Sequence, residues 1–196
     1  MHPPTLVESI EIGPDLRLEP LELRHASDLF RLVDRDRDRL GARLPWVAST
    51  RTPEDTRAFI AGSKARRDPT TGGDGSGDWA ILAGGPEALG PVGVIGIHAP
   101  SWSHRRVSLG YWIEGSFEGR GWITRAAAAL TRHLHGGGMH RVEIRAALDN
   151  RRSRAVPERL GFRLEGELRA VEWIHGASVD HAVYGHLSSD PPPTDA

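Results

Sequence analysis

The sequence contains no cysteine, which excludes disulfides, thiolate nucleophiles and cysteine metal sites and suits a reducing cytoplasm. Long apolar runs are missing as well: nothing approaches the roughly 20 apolar residues of a membrane helix. The start Met1-His2-Pro3-Pro4 has no basic patch leading into an apolar stretch. These absences read as a soluble, cytoplasmic chain with no membrane partner. No charge sign predominates either. With 25 basic and 26 acidic side chains the net charge is −1, so no nucleic-acid partner is expected and any anion must be recognised locally. Lys64 is the only lysine, an arginine bias that a GC-rich genome accounts for. What is present, 196 residues, suits one domain able to bury its own core.

Alternation at Leu16-Arg17-Leu18-Glu19-Pro20 predicts a first strand, and Ala26, Leu29, Phe30 and Val33 mark a helix from about His25 to Asp38. The run Asp34-Arg35-Asp36-Arg37-Asp38-Arg39 reads as a solvated, self-pairing helix surface. Thr52-Pro53-Glu54-Asp55 is a helix start, with Thr52 as cap and Pro53 at the first helical position, and that helix should reach about Arg66. A Gly-, Thr- and Asp-rich loop from Asp68 to Asp78 follows. Three strands come next, Trp79 to Ala83, Val92 to His98 and Val107 to Ile113, joined as antiparallel hairpins. A helix from Trp122 to about His135 ends at Gly136-Gly137-Gly138. Arg141 to Leu148 is a strand, a short helical stretch ends near Leu160-Gly161, and Phe162 to Trp173 with Val179 to Leu187 forms a closing hairpin turning near Gly176. The organisation is an N-terminal segment 1–13, a domain 14–188 and a polar, proline-rich tail 189–196 expected to be disordered.

The most informative local feature is Glu118-Gly119-Arg120-Gly121 between a strand and an apolar helix. Free N–H groups in a first helical turn, with the helix dipole, attract an anion, and glycines let a ligand approach the backbone. The nucleoside-triphosphate loop is excluded because Gly-Lys-Ser/Thr is absent, and the dinucleotide fingerprint because Thr124 stands where its third glycine belongs. By itself the turn is equally consistent with a tight structural connection.

The order of blocks around it resembles the GNAT superfamily of N-acetyltransferases, and most nearly its ribosomal-protein, Rim-type N-terminal acetyltransferase branch. Leu109-Gly110-Tyr111-Trp112-Ile113 precedes the turn, Glu118-Gly119-Arg120-Gly121-Trp122-Ile123 occupies the family's Gln/Arg-x-x-Gly-x-Gly/Ala motif, and Asn150-Arg151-Arg152-Ser153, Glu158-Arg159-Leu160-Gly161-Phe162 and Glu165-Gly166 follow. The resemblance spans about Leu16 to Leu187. It implies an α+β fold, a single GNAT-like domain whose mixed, mostly antiparallel sheet of six to seven strands has helices on both faces. It also implies transfer of an acetyl group from acetyl-CoA to a primary amine, such as the N-terminus of a ribosomal protein, by direct attack in a ternary complex. The cofactor would touch Trp112, Ile113, Glu118, Gly119, Arg120, Gly121, Trp122, Ile123, Thr124, Asn150 and Ser153. A homodimer is a further implication. Glu118 departs from the motif, placing a carboxylate beside the expected phosphates, and Ile123 replaces a small residue.

Direct attack needs a neutral amine, a donor to the oxyanion and a proton for the departing thiolate. Many family members use a tyrosine for that proton, but Pro157 holds its position here, so the resemblance points to Ser153, whose other reading is a helix cap. Pro157 also implies a helix that starts late or is kinked. The resemblance places the base at Glu172 beside Trp173; the other reading is an ordinary strand glutamate. Glu114, Glu143 and His98 are weaker candidates, and Asn150 either orients cofactor or closes its turn. Histidine spacing does not favour a metal: His133 and His135 point to different helix faces, and His175 and His181 flank a turn without an obvious carboxylate pair. Trp46, Trp79, Trp102 and Trp173 belong to the core or line the acceptor cleft, core being the better reading for any single one. Three alternatives stay open: a longer or acidic acyl donor such as succinyl, for which Arg105, Arg106 or Arg169 would be suited, a small-molecule amine acceptor, and a non-catalytic CoA-binding module.

Overall fold

A computed structural model describes residues 8–68, 70, 72–85 and 88–194. In chain order the elements are β1 (Ile10–Gly13), β2 (Leu16–Pro20), α1 (Ala26–Arg35), α2 (Arg37–Gly41), α3 (Pro53–Arg67), β3 (Gly77–Gly85), β4 (Ala88–Ser101), β5 (Arg106–Ile113), α4 (Trp122–Gly136), β6 (Arg141–Ala147), α5 (Arg151–Arg159), β7 (Arg163–Ile174) and β8 (Ala177–Leu187). The strands form one sheet in the order β1-β2-β3-β4-β5-β6-β8-β7. Neighbours run antiparallel except β5 and β6.

The class is the expected one, with eight strands where six to seven were expected. The addition is β1, inside the stretch read as an N-terminal segment. It pairs with β2 from Ile10↔Leu18, and Ile10 and Ile12 pack on the core. Arg125 of α4 bonds both Asp15 oxygens at 2.9 and 2.8 Å, fastening the β1–β2 turn to that helix and holding the Asp15 carboxyl down at about 2.

Apolar stripes decide which helix covers which face. Ala126, Ala127, Leu130 and Leu134 of α4 and Val156 of α5 pack on Leu109, Val142, Ile144, Ala182 and Tyr184. On the other face Ala26, Leu29 and Leu32 of α1 and Ile60 of α3 pack on Ala80, Leu82 and Val94. The capping pattern at Thr52 is as the sequence implies, its hydroxyl accepting from Asp55 N while the Asp55 carboxylate accepts from Thr52 N. The expected helix to Asp38 instead breaks at Asp36, where φ −118° and ψ 25° end α1 before α2 begins.

The proline-rich stretch Ser188 to Thr194, expected to be disordered, follows the protein surface. Arg132 donates to Pro193 O at 2.9 Å, Ser188 N donates to His140 O at 2.8 Å, and His186 Nε2 lies 3.1 Å from Pro191 O. Residues 195 and 196 lie outside the described residues. Of the four tryptophans read as core, Trp79 is fully buried and Trp102 partly so, whereas Trp46 and Trp173 are exposed, Trp173 at 70 %. Trp173 lies on β7, which among the described residues has a neighbour on one side only.

Candidate active site

β5 and β6 pair in parallel from Arg106↔Arg141 to Leu109↔Ile144 and then part. β5 continues to Ile113 against β4, and β6 to Ala147 against β8. The sheet is therefore split at the C-terminal ends of its parallel pair, a position where open sheets bind ligands. Glu114 N donates to Val92 O of β4, so by alternation the backbone groups of Tyr111 and Ile113 face the split.

The turn after β5 lies at one lip. Gly119 and Gly121 each have φ +76°, and a Cβ added to either would meet nothing within 4 Å, so backbone conformation rather than crowding demands glycine there. Among the described residues, none of the N–H groups of residues 119–124 donates to a protein acceptor; the first helical bond is Arg125 N to Gly121 O. Successive free N–H groups at the start of the 15-residue helix α4 form a cradle for an anion. Arg120 projects beside it, its guanidinium 5.8 Å from the Phe117 ring and 5.2 Å from that of Trp122. Thr124 is buried and Ile123 half-buried within the first turn of α4.

Glu118 is held in an arginine clamp. Arg39 of α2 reaches one oxygen at 2.7 Å and Arg152 of α5 bonds the other. Arg39 also donates to Ile113 O at 2.6 Å, and the Asp36 carboxylate accepts from Gly115 N at 2.8 Å. Arg35 meets the buried Glu114 at 2.8 Å, and Arg43 meets Asp149 at 2.5 Å. The charge run read as a self-pairing surface does pair internally, Arg37 with Asp34 and Arg39 with Asp36. Arg35, Asp36 and Arg39 also fasten α1 and α2 to the β5 lip of the split, and Arg43, just beyond α2, reaches Asp149 at the other.

At the other lip, Asn150 caps α5, its side-chain oxygen accepting from Ser153 N at 3.2 Å. Asn150 thus closes the turn, one of its two expected roles. The helix starts directly at Arg151, so Pro157, in its last turns, does not delay it. Ser153 is half-buried in the first turn, and its carbonyl accepts from the Tyr111 phenol at 3.0 Å. Burial pushes the Tyr111 hydroxyl well above its ordinary range.

On the opposite sheet face, Trp112 packs against Trp46 with ring centres 5.8 Å apart. Glu172 lies on β7 diagonal to His181 of β8, with Glu172 Oε2 3.0 Å from His181 Nε2. His181 thus has one carboxylate beside it. The hairpin turn makes the pairing legible: Ile174↔Ala177 sets Glu172↔Val179, which puts His181 diagonally opposite Glu172. The hairpin tip reaches α2, where His175 Nε2 lies 2.9 Å from Gly41 O. It borders an open cleft of about 810 Å³ whose walls include Asp34, Asp38, Pro45, Arg51 and His175.

Two of the three weaker base candidates, Glu114 and Glu143, are committed elsewhere. Glu114 is held by Arg35 and Ser116. Burial alone would raise the Glu143 carboxyl, but bonds from Arg141 and Arg145 bring it below its ordinary value. No group of three His, Asp or Glu side chains among the described residues could hold a metal ion.

A family model described as an acetyltransferase (GNAT) domain matches residues 15–163. The chain is 27 % identical to the ribosomal-protein-serine acetyltransferase of Escherichia coli (strain K12), over 93 % of this chain and 98 % of that protein. It is 30 % identical to YdaF of Bacillus subtilis (strain 168), a protein provisionally named as a ribosomal N-acetyltransferase, over 92 % and 95 %. Among solved structures, RimL, a ribosomal L7/L12 alpha-N-protein acetyltransferase in complex with coenzyme A, superposes with a TM-score of 0.84 at 25 % identity, covering 93 % of this chain and 100 % of that one.

Proposed function

The chain belongs to the acetyltransferase (GNAT) domain family, and from that premise we propose that it acetylates the N-terminal amine of a protein, with a ribosomal protein as the first acceptor to test. The enzyme is an acyl-CoA-dependent N-acetyltransferase. The observation that carries the reading is the run of free N–H groups at 119–124, set where the sheet splits. These groups fit a pyrophosphate. The cofactor-side assignment is Gly119 to Thr124 with Trp112, Ile113, Asn150 and Ser153, and the backbone of Tyr111 and Ile113 faces the split where a pantetheine arm would lie.

The chemistry assigned to each residue follows from its side of the sheet. Glu172 serves the base side, bonded to His181 of β8 on the closing hairpin whose tip borders the open cleft. Ser153 serves the acid side, at the first turn of α5, where a hydroxyl would give its proton to the departing thiolate and regain one from solvent. Glu118 has the role of holding the arginines of the clamp rather than the cofactor. The relatives named for ribosomal proteins support the acceptor. The proposal includes a cytoplasmic homodimer, supported by the outer strand β7, which exposes Leu164, Leu168, Val171 and Trp173.

The test offers acetyl-CoA and succinyl-CoA as donors, crossed with a serine-initiated peptide, its N-terminally blocked form and a polyamine. Product mass spectrometry should show one acetyl group on the free peptide alone. Acetylation of the polyamine but not of the peptide would replace the protein acceptor with a small amine.

A further inference from the structure

Side chains along β8 alternate between sheet faces. Ala182 and Tyr184 belong to the core under α4 and α5, so His181 points to the other face, the one that carries Trp112. It lies opposite Ala147, beyond Ile144, where the pairing of β6 with β5 ends. The imidazole therefore lies one strand, β6, away from the open part of the split, on the face from which an acceptor would approach a thioester held between the strands.

Its surroundings leave one partner. On the same face of β6, Glu143 and Arg145 bond each other at 2.6 Å, and Arg141 bonds Glu143 at 2.8 Å. Among the described residues, only Glu172 bonds the His181 side chain, at Nε2. With an Nε2–H donated to that carboxylate, Nδ1 carries the lone pair. Imidazole is the side chain suited to taking a proton near neutral pH. A peptide α-amine, with an ordinary pKa of about 7.7–8.0, arrives there largely protonated.

We propose that His181 takes the proton from the acceptor amine and that Glu172 is the positioning residue fixing its ring, an inference that rests on the acetyl-transfer reading above. The acceptor ammonium gives one proton to His181 Nδ1. The freed nitrogen lone pair forms the C–N bond at the thioester carbonyl, and the C–S bond breaks with its electron pair leaving on sulfur. The thiolate takes the Ser153 hydroxyl proton and Ser153 regains one from solvent, while nitrogen gives its second proton and His181 its own to solvent. The sum is ammonium plus acetyl-CoA giving amide, CoA thiol and one proton.

The experiment compares the wild type, His181→Gln and Glu172→Gln with acetyl-CoA and the serine-initiated peptide. Calorimetry measures acetyl-CoA affinity, and kcat and kcat/KM are followed from about pH 6 to about pH 9.5, beyond the ordinary α-amine pKa. Glutamine keeps a donor toward Glu172 but cannot take a proton. His181→Gln is expected to bind acetyl-CoA within about two-fold of wild type and to lose roughly 100-fold in kcat at pH 7. Its deficit should shrink toward high pH, where the amine is already neutral. Glu172→Gln should lose less, about ten-fold, and keep the acid limb of its profile. An acid limb that survives in His181→Gln and vanishes in Glu172→Gln would make Glu172 the base and overturn the proposal. So would an unchanged kcat in His181→Gln. If His181→Gln fails to bind acetyl-CoA, the Glu172→Gln profile decides alone, a retained limb supporting His181 and a lost one refuting it. Absence of peptide acetylation by the wild type would instead remove the acceptor reading on which this one rests.

Discussion

A proline late in α5 has no N–H to give the carbonyl four residues back, which here belongs to Ser153. The Tyr111 phenol supplies the missing bond at 3.0 Å. One side chain of β5 thereby ties the first turn of α5 across the split, and the residue that removes the family's usual tyrosine is compensated by a tyrosine elsewhere. Tyr111→Phe should cost about 1–3 kcal/mol in urea unfolding, because a half-buried acceptor loses its partner. In a Pro157→Ala background the helix can supply an N–H to the same carbonyl, so the Tyr111→Phe penalty should fall by about 1 kcal/mol. Equal penalties in the two backgrounds would mean that Pro157 and Tyr111 are not coupled through Ser153. The turn that Asn150 closes was legible in sequence because it is local. The Tyr111 bond was not, since it joins residues 42 apart through a packed core.

Elements show the same division between local and distant information. The sequence identifies the cap of α3, the start of α4 and the closing hairpin, all of which depend on neighbours in the chain. It misses the break at Asp36, whose carboxylate accepts from the distant Gly115 N. The clamp on Glu118 joins α2, the glycine turn and α5, and it explains how a carboxylate is tolerated beside an anion cradle: two guanidinium groups already neutralise it. Both arginines are partly or largely exposed, so each pair is worth about 0.2–1 kcal/mol. Glu118→Gln should free them for phosphate and tighten CoA binding by about two- to five-fold in low salt. Titration calorimetry should show that gain shrinking as salt rises. Weaker binding in the variant would instead make Glu118 a brace that the turn needs.

The whole molecule is two half-sheets, β1 to β5 and β6-β8-β7, joined by the short parallel pairing from Arg106 to Leu109 and by side-chain bridges such as Arg43 to Asp149. That join was legible in outline, since strand, glycine turn, helix and strand in succession imply a parallel crossover. The position of β8 between β6 and β7 was not, because no local pattern says which strand of a hairpin faces the rest of a sheet. A ligand lying in the split touches both halves, so it should stabilise the molecule as a unit rather than one lip of it. At a hundredfold excess over Kd, CoA contributes about 2.7 kcal/mol to the folded state. For a domain of this size, 1 kcal/mol moves Tm by about 2–4 °C, so CoA should raise it by about 5–11 °C in a single sharpened transition. Pantetheine, which has no pyrophosphate for the 119–124 amides, should need a far higher concentration for the same shift. Calorimetric scans that split into two transitions with CoA present would show that it binds one half-sheet alone, and the cradle and the split would then be separate features.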